Sequence, residues 1–284
     1  MVEKVKRKTF TIRESGRSTD YISPSFGYGC LYNCSYCYMK RHKPDGLTVA
    51  TNIHDILTEI NNHAYFTPVN KPNQTHAEYT TYDISCNEDF ALHAKYYDWP
   101  RIFDFFKNHP IAMGSFATKY VNKRLSDYDP NGKIRIRFSL MPQNMSTIHE
   151  PNTSKIIDRI NAIDFFIAAG YDVHINFSPV IVYDNWLKDY EDLFNTVNYY
   201  VSNKDKVKAE VIFLTHNEGK HKNNLVNHSI AEPHLWRPDI QEEKISQYGG
   251  TNIRYKLSLK SKYIQQFKDL HSNIIPWNKI RYIF

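Results

Sequence analysis

Cys30, Cys34 and Cys37 fall within eight residues, separated by three and then two positions, while the fourth cysteine, Cys86, stands apart. Thiolates at that spacing can hold three corners of a cubane iron–sulfur cluster, and such clusters are usually held by four cysteines. Three local ligands leave one iron open to a donor from outside the chain. A structural zinc is the alternative, with Cys86 or His42 as fourth ligand, although zinc motifs usually come as two separated ligand pairs and no second pair is present here. A disulfide framework is not expected, because the chain reads as one of a reducing compartment. A lone cysteine such as Cys86 is most commonly a small buried hydrophobe.

The chain has 284 residues, enough to bury the core of one large α/β domain or two modest ones. With 21 Tyr and 16 Phe against 10 Gly, the composition is that of a folded enzyme rather than a disordered or fibrous chain. The charged start Met1-Val2-Glu3-Lys4-Val5-Lys6-Arg7 is not followed by an apolar run, so no secretory signal is read. No stretch approaches the roughly 18 apolar residues of a membrane helix. A cytoplasmic protein that is a monomer is the expectation. The net charge of +6 favours an anionic partner without identifying one.

Elements that could position these residues alternate along the chain. β-rich runs occur at 79–85, 111–117, 134–140, 173–182 and 209–214, with a possible first strand at 21–28. Between them lie helix-period segments. Asn52 opens one whose face carries Ile53, Ile56, Leu57 and Ile60, Asp98-Trp99-Pro100 starts another, and Asn152-Thr153 opens a third that stops near Gly170. This order predicts parallel strands with crossover helices. In such folds, loops at the carboxyl ends of strands carry the site, so the cysteine loop, Cys86, Lys119 and Ser139 should share one rim. After about residue 215 the alternation stops. Residues 216–238 read as a long polar loop, 244–257 as a hairpin around Tyr248-Gly249-Gly250-Thr251, 260–270 as a closing helix and 279–284 as a last strand. His216, His221, His228 and His234 lie in the polar stretch and are read as structural, a metal site there being the lesser alternative.

Cys34-Ser35-Tyr36-Cys37-Tyr38 matches the radical S-adenosylmethionine signature, in which an aromatic precedes the third cysteine. Beyond it the chain resembles the spore photoproduct lyase family from about Phe26 onward. The likeness is carried by Phe26-Gly27-Tyr28-Gly29-Cys30, Ile84-Ser85-Cys86-Asn87-Glu88-Asp89, Ala117-Thr118-Lys119 and Arg135-Ile136-Arg137-Phe138-Ser139. It continues in Glu150-Pro151-Asn152-Thr153-Ser154, Ala169-Gly170-Tyr171 and Ser178-Pro179-Val180-Ile181, with Trp186, Tyr190 and Tyr248-Gly249. The family has small hydroxyl residues after its lone cysteine, where this chain has Asn87 and Glu88.

The resemblance implies an α/β partial (β/α)6 TIM-type barrel of the radical SAM type over residues 21–215. A 1–20 extension precedes it, and a 216–284 loop, β-hairpin and helix completes the same domain and contacts DNA. It implies a lyase that reverses the thymine-dimer lesion called the spore photoproduct through a 5′-deoxyadenosyl radical. Cys30, Cys34 and Cys37 would bind a [4Fe–4S] cluster, and Lys119, Ser139, Asp89, Glu88 and Ser178 would contact S-adenosyl-L-methionine. Cys86 would donate a hydrogen atom, with Tyr36 and Tyr38 relaying the hole back, and flavodoxin or ferredoxin would supply the electron. A related enzyme acting on another substrate, or a zinc or cluster protein that binds nucleic acid without catalysis, are the competing readings. Because a lesion must leave the duplex to be reached, the hairpin residues Lys244, Tyr248, Arg254, Tyr255 and Lys256 are the expected DNA contacts, basic groups interleaved with stacking rings.

Overall fold

The structure, a computed structural model, describes residues 1–15, 20–43, 45–67, 76–245 and 250–284. In chain order its first elements are β1 (Val2–Val5), β2 (Tyr21–Ile22), β3 (Gly27–Gly29), α1 (Met39–His42), β4 (Leu47–Ala50) and α2 (Ile53–Phe66). There follow β5 (Thr80–Asp83), α3 (Phe90–His93), α4 (Trp99–Asn108), β6 (Ala112–Thr118), β7 (Ile134–Ser139), α5 (Gln143–His149) and α6 (Ile156–Ala168). Next come β8 (Asp172–Val180), α7 (Trp186–Tyr200), β9 (Ala209–Phe213), β10 (Thr215–His216), α8 (Glu218–Asn227) and α9 (Glu232–Leu235). The chain closes with β11 (Gln241–Ile245), β12 (Thr251–Tyr255), α10 (Leu257–Ile274) and β13 (Ile280–Ile283).

Local chemistry explains the helix starts. Asp98 caps α4 by accepting from the Arg101 N–H, and Pro100 sits in the first turn where no N–H is needed. The α2 stripe Ile56, Leu57 and Ile60 is buried. Strands β2, β5, β6, β7, β8, β9 and β13 form one curled parallel half-barrel in the order β13-β9-β8-β7-β6-β5-β2.

Three sequence expectations change. The strand expected at 21–28 divides, β2 pairing with β5 in the large sheet and β3 pairing antiparallel with β4 in a small one that also holds β1. Pro24, which has no N–H for a ladder, lies at the division. The expected loop at 216–238 instead contains α8 and α9. Finally, β13 is the edge strand of the half-barrel, beside β9, so the carboxyl-terminal segment completes the main sheet. The core runs continuously into that segment through Phe177, Phe194, Tyr255, Phe267 and Ile275.

Alternation along β7 separates two environments, because successive side chains point to opposite faces. Ile134, Ile136 and Phe138 join the apolar core, while Arg135 and Arg137 meet carboxylates. Arg135 pairs with Asp172 at 2.6 Å, Arg137 with Asp83 at 2.8 Å and Glu210 at 3.3 Å, and Arg281 with Glu210 at 2.8 Å. Burial pushes the Asp20 carboxyl up, but Arg137, Arg281 and Arg135 outweigh it and hold it well below the usual range. Asp172 and Glu210 are held low in the same way, against burial, by His174 with Arg135 and by Arg137 with Arg281. Burial lowers the His174 imidazole to about 4.

A carboxyl whose folded pKa is depressed stabilises the fold above its unfolded value and loses that contribution as pH falls. A histidine kept neutral by burial likewise costs stability once the unfolded chain can protonate, below about 6.5. The metal-free protein should therefore melt at a clearly lower temperature at pH 5 than at pH 7.5, with a further fall toward pH 4. Equal midpoints by circular dichroism across that window would contradict the charged interior.

Candidate active site

The cysteine loop follows β3 and is held from four directions. Gly29, at φ +103° in the region that favours glycine, turns the chain into Cys30, and its N–H donates to the Asn87 carbonyl. The Leu31 N–H donates to His93 Nε2 at 3.3 Å. The Ser35 N–H donates to the His149 carbonyl at 3.0 Å, and Ser35 Oγ lies 2.8 Å from His149 Nδ1. From α8, Asn224 Nδ2 donates to the Ser35 carbonyl at 2.9 Å and Lys220 Nζ to the Tyr36 carbonyl at 3.0 Å. Loops that hold a cofactor must be rigid, and these contacts supply the rigidity.

The loop faces a cavity of about 410 Å³ at the carboxyl ends of β5 to β9, within the range of small-molecule sites. Cys30, Cys34 and Cys37 line it, as do Tyr36, Tyr38, Cys86, Glu88 and Asp89. So do Lys119, just after β6, Ser139 of β7 and Ser178 of β8. Among the described residues, the three potential metal donors that close to within 4.8 Å of one another are His216, His221 and Glu232, not the three cysteines. Three cysteines on one short loop bordering a ligand-sized cavity suit three corners of a polynuclear cluster. Burial, followed by the Asp89 carboxylate, pushes the metal-free Cys30 thiol up to about 12, so loading iron there must release protons.

Among the described residues, Lys119 is one of three basic residues, with Arg137 and Lys220, that line the cavity. Its Nζ donates to Ser139 Oγ at 3.3 Å, lies 3.9 Å from Glu150 Oε1, and stands 5.7 Å from the Tyr36 ring centre. Asp89 is committed to structure: it accepts from the Leu92 N–H, from Thr118 Oγ1 at 2.6 Å and from the Lys119 N–H at 2.8 Å. It therefore holds the backbone of Lys119. Glu88 is buried, with Oε2 accepting from the Tyr97 hydroxyl and 3.0 Å from His93 Nδ1, while Oε1 has no protein partner. A side chain at Gly27 would land on Tyr97 and this carboxylate, which is why glycine stands there.

Cys86 lies just beyond β5. The Tyr38 hydroxyl donates to the Cys86 carbonyl and lies 3.7 Å from Cys86 Sγ. Burial, then the Asp83 carboxylate, pushes the Cys86 thiol up to about 11. The Tyr36 hydroxyl donates to Glu150, which also meets Arg159 at 2.8 Å and Ser146 Oγ at 3.1 Å. Glu150, Arg159, His93, Lys220 and Asn224 were not singled out as site residues from the sequence. The only signal was the Glu150-Pro151 block.

The hairpin residues divide. Tyr255 is corrected: it is 1% exposed, and its hydroxyl accepts from the Val182 N–H at 2.8 Å, so it belongs to the core and not to a DNA surface. The inward turn follows from strand alternation at the end of β12 against Phe213 and Tyr263. Arg254 pairs with Glu242 at 3.0 Å, and Lys256 Nζ donates to the Asp239 carbonyl at 2.8 Å. Lys244 stands on β11, half-buried. Tyr248 lies outside the described residues.

Fold and rim together define a class: parallel half-barrels that hold a three-cysteine loop over an open, ligand-sized cavity. Comparison with known proteins narrows it. The family model described as "Spore photoproduct lyase" matches residues 2–284, and the chain belongs to the spore photoproduct lyase family. The spore photoproduct lyase of Bacillus subtilis is 25% identical over 272 residues, covering 94% of this chain and 74% of the relative. That of Clostridium acetobutylicum is 26% identical over 188 residues, covering 65% of this chain and 53% of the relative. A solved spore photoproduct lyase variant with bound AdoMet and dinucleoside spore photoproduct superposes with a TM-score of 0.88 at 19% identity, over 100% of this chain and 82% of that one. Streptococcus suis SuiB bound to its precursor peptide SuiA shares the fold more distantly, with a TM-score of 0.54 at 11% identity over 92% of this chain and 47% of that one.

Proposed function

We propose that this chain is a radical S-adenosylmethionine lyase that returns the spore photoproduct in DNA to two thymines. One observation carries the reading: a three-cysteine loop, the Lys119 ammonium and the protonated Cys86 thiol all border one cavity. Cys30, Cys34 and Cys37 would hold a [4Fe–4S] cluster. When bound, the cluster and S-adenosylmethionine supply reductive cleavage of the sulfonium and a 5′-deoxyadenosyl radical, given one electron from a donor of the flavodoxin or ferredoxin type.

The protein's own groups do the rest. The Lys119 ammonium, steadied by Ser139 Oγ, suits the cofactor's carboxylate. Ser178 and the unpartnered Glu88 Oε1 offer polar contacts to the remainder of the cofactor. Asp89 acts through Lys119, whose N–H it holds. A thiol pushed up to about 11 keeps its hydrogen across the neutral range, so Cys86 can give a hydrogen atom to the product radical. The Tyr38 hydroxyl beside Cys86 Sγ would then return a hydrogen atom to the sulfur, and Tyr36 would pass the resulting tyrosyl radical to 5′-deoxyadenosine, whose methyl group gives up a hydrogen atom so that S-adenosylmethionine is regenerated.

The test is anaerobic reduction of reconstituted protein with a synthetic dinucleotide spore photoproduct. Thymine dinucleotide should form, with about four irons per chain. Release of 5′-deoxyadenosine without thymine product would assign another substrate, and a colourless zinc-loaded protein would end the radical reading. The DNA contact carries its own expectation. With basic groups of the hairpin at the phosphates, log affinity for lesion duplex should fall as log salt rises. Anisotropy titrations giving a flat line between low and moderate salt would remove the hairpin from the interface.

A further inference from the structure

The strongest unassigned constellation lies outside the cavity, where β10, α8 and α9 converge. His216 Nε2 lies 2.9 Å from Glu232 Oε1, and His221 Nδ1 lies 2.6 Å from the same oxygen. The three donor atoms all fall within 4.8 Å of one another. We propose that His216, His221 and Glu232 form a zinc site that fastens α8 and α9 over the cysteine loop.

Two imidazoles, one carboxylate and a remaining position for water are a set that zinc accepts. The fourth position has access, since the His221 side chain is 21% exposed while His216 and Glu232 are buried.

The surroundings orient the donors. Asn224 Nδ2 donates to Glu232 Oε2 at 2.6 Å, and the Trp236 ring stacks on His221 with centres 4.1 Å apart. Ligands on tetrahedral zinc stand about 3.3 Å apart at bond lengths of about 2.0–2.1 Å. The ion must therefore open the metal-free hydrogen-bonded trio by about half an ångström. Asn224 gives the site its consequence, because the same Nδ2 also donates to the Ser35 carbonyl at 2.9 Å. A metal that fixes Glu232 thus fixes the loop that carries Cys34 and Cys37, one amide away.

The proposal stands on this geometry alone and is independent of the substrate. Holoenzyme would be stripped of loose metal with a mild chelator, equilibrated with Zn²⁺, and assayed for zinc and iron together. One zinc per chain with only nitrogen and oxygen scatterers at the zinc absorption edge is expected. Affinity should fall at least about tenfold in Asn224→Ala and further in His221→Phe, which retains a ring against Trp236. A Cys30→Ala/Cys34→Ala/Cys37→Ala variant should still take up the zinc. Absence of bound zinc, sulfur among its ligands, or unchanged affinity in folded His221→Phe would each overturn the site. An iron-replete protein without zinc would leave the radical chemistry standing and remove only this inference.

Discussion

Replacing Cys86 by Ala should leave cleavage of S-adenosylmethionine intact while correct thymine product falls by about tenfold or more, about 1.4 kcal/mol in the quenching barrier. The cavity keeps its cysteine loop and Lys119 in this variant, so the steps before hydrogen return are untouched. What disappears is the S–H bond that Tyr38 faces at 3.7 Å. Cys86→Ser sharpens the experiment: it restores shape and a hydroxyl, but an O–H bond is too strong to be surrendered to a carbon radical. Both variants should release 5′-deoxyadenosine under reduction and accumulate wrongly quenched dinucleotide on chromatography. Normal repair by either one would take hydrogen donation away from Cys86.

The second large effect concerns Glu150. Glu150 and Arg159 have fully buried side chains and meet at 2.8 Å, with Tyr36, Ser146 and Lys119 gathered on the same carboxylate. Burial alone would push the Glu150 carboxyl up, yet Arg159 and Lys119 outweigh it and hold it below its usual value. Glu150→Ala strands a buried guanidinium and should cost about 3–5 kcal/mol. Adding Arg159→Met should recover much of that loss, because the stranded charge and not the missing pair dominates the penalty. Denaturant titrations of the metal-free proteins measure both. A Glu150→Ala loss below about 1 kcal/mol, or additive losses in the double variant, would show that the cluster of charges is not coupled in this way.

Much of the site was legible from local chemistry. Cysteine spacing is a property of consecutive residues, so Cys30, Cys34 and Cys37 stand out as the proposed cluster ligands from the sequence alone, and all three line the cavity. Strand–helix alternation placed Cys86, Lys119 and Ser139 on one rim, and all three line the same cavity. The small family resemblance blocks added the roles proposed for Tyr36, Tyr38, Glu88, Asp89 and Ser178.

Other features depend on chain crossings that no local pattern encodes. Helix α8 (Glu218–Asn227) lacks the apolar stripe that marks a packed helix, its two apolar side chains Leu225 and Val226 being exposed, so its sequence reads as loop. It is held by two buried polar side chains, Lys220 and Asn224, whose partners lie about 185 positions earlier in the chain. Tyr255, between Arg254 and Lys256, has the sequence surroundings of a surface ring, and only the packing of β12 against β9 and α10 turns it inward. Sequence alone determined the three-cysteine spacing proposed to hold iron, since that is set by residues close along the chain, while the donor role proposed for Cys86 rests on the family resemblance. Tertiary structure decided which carboxylates are structural, which histidines meet and what clamps the cysteine loop. Those depend on long-range contacts, whose cost and gain are balanced only when the whole half-barrel has closed.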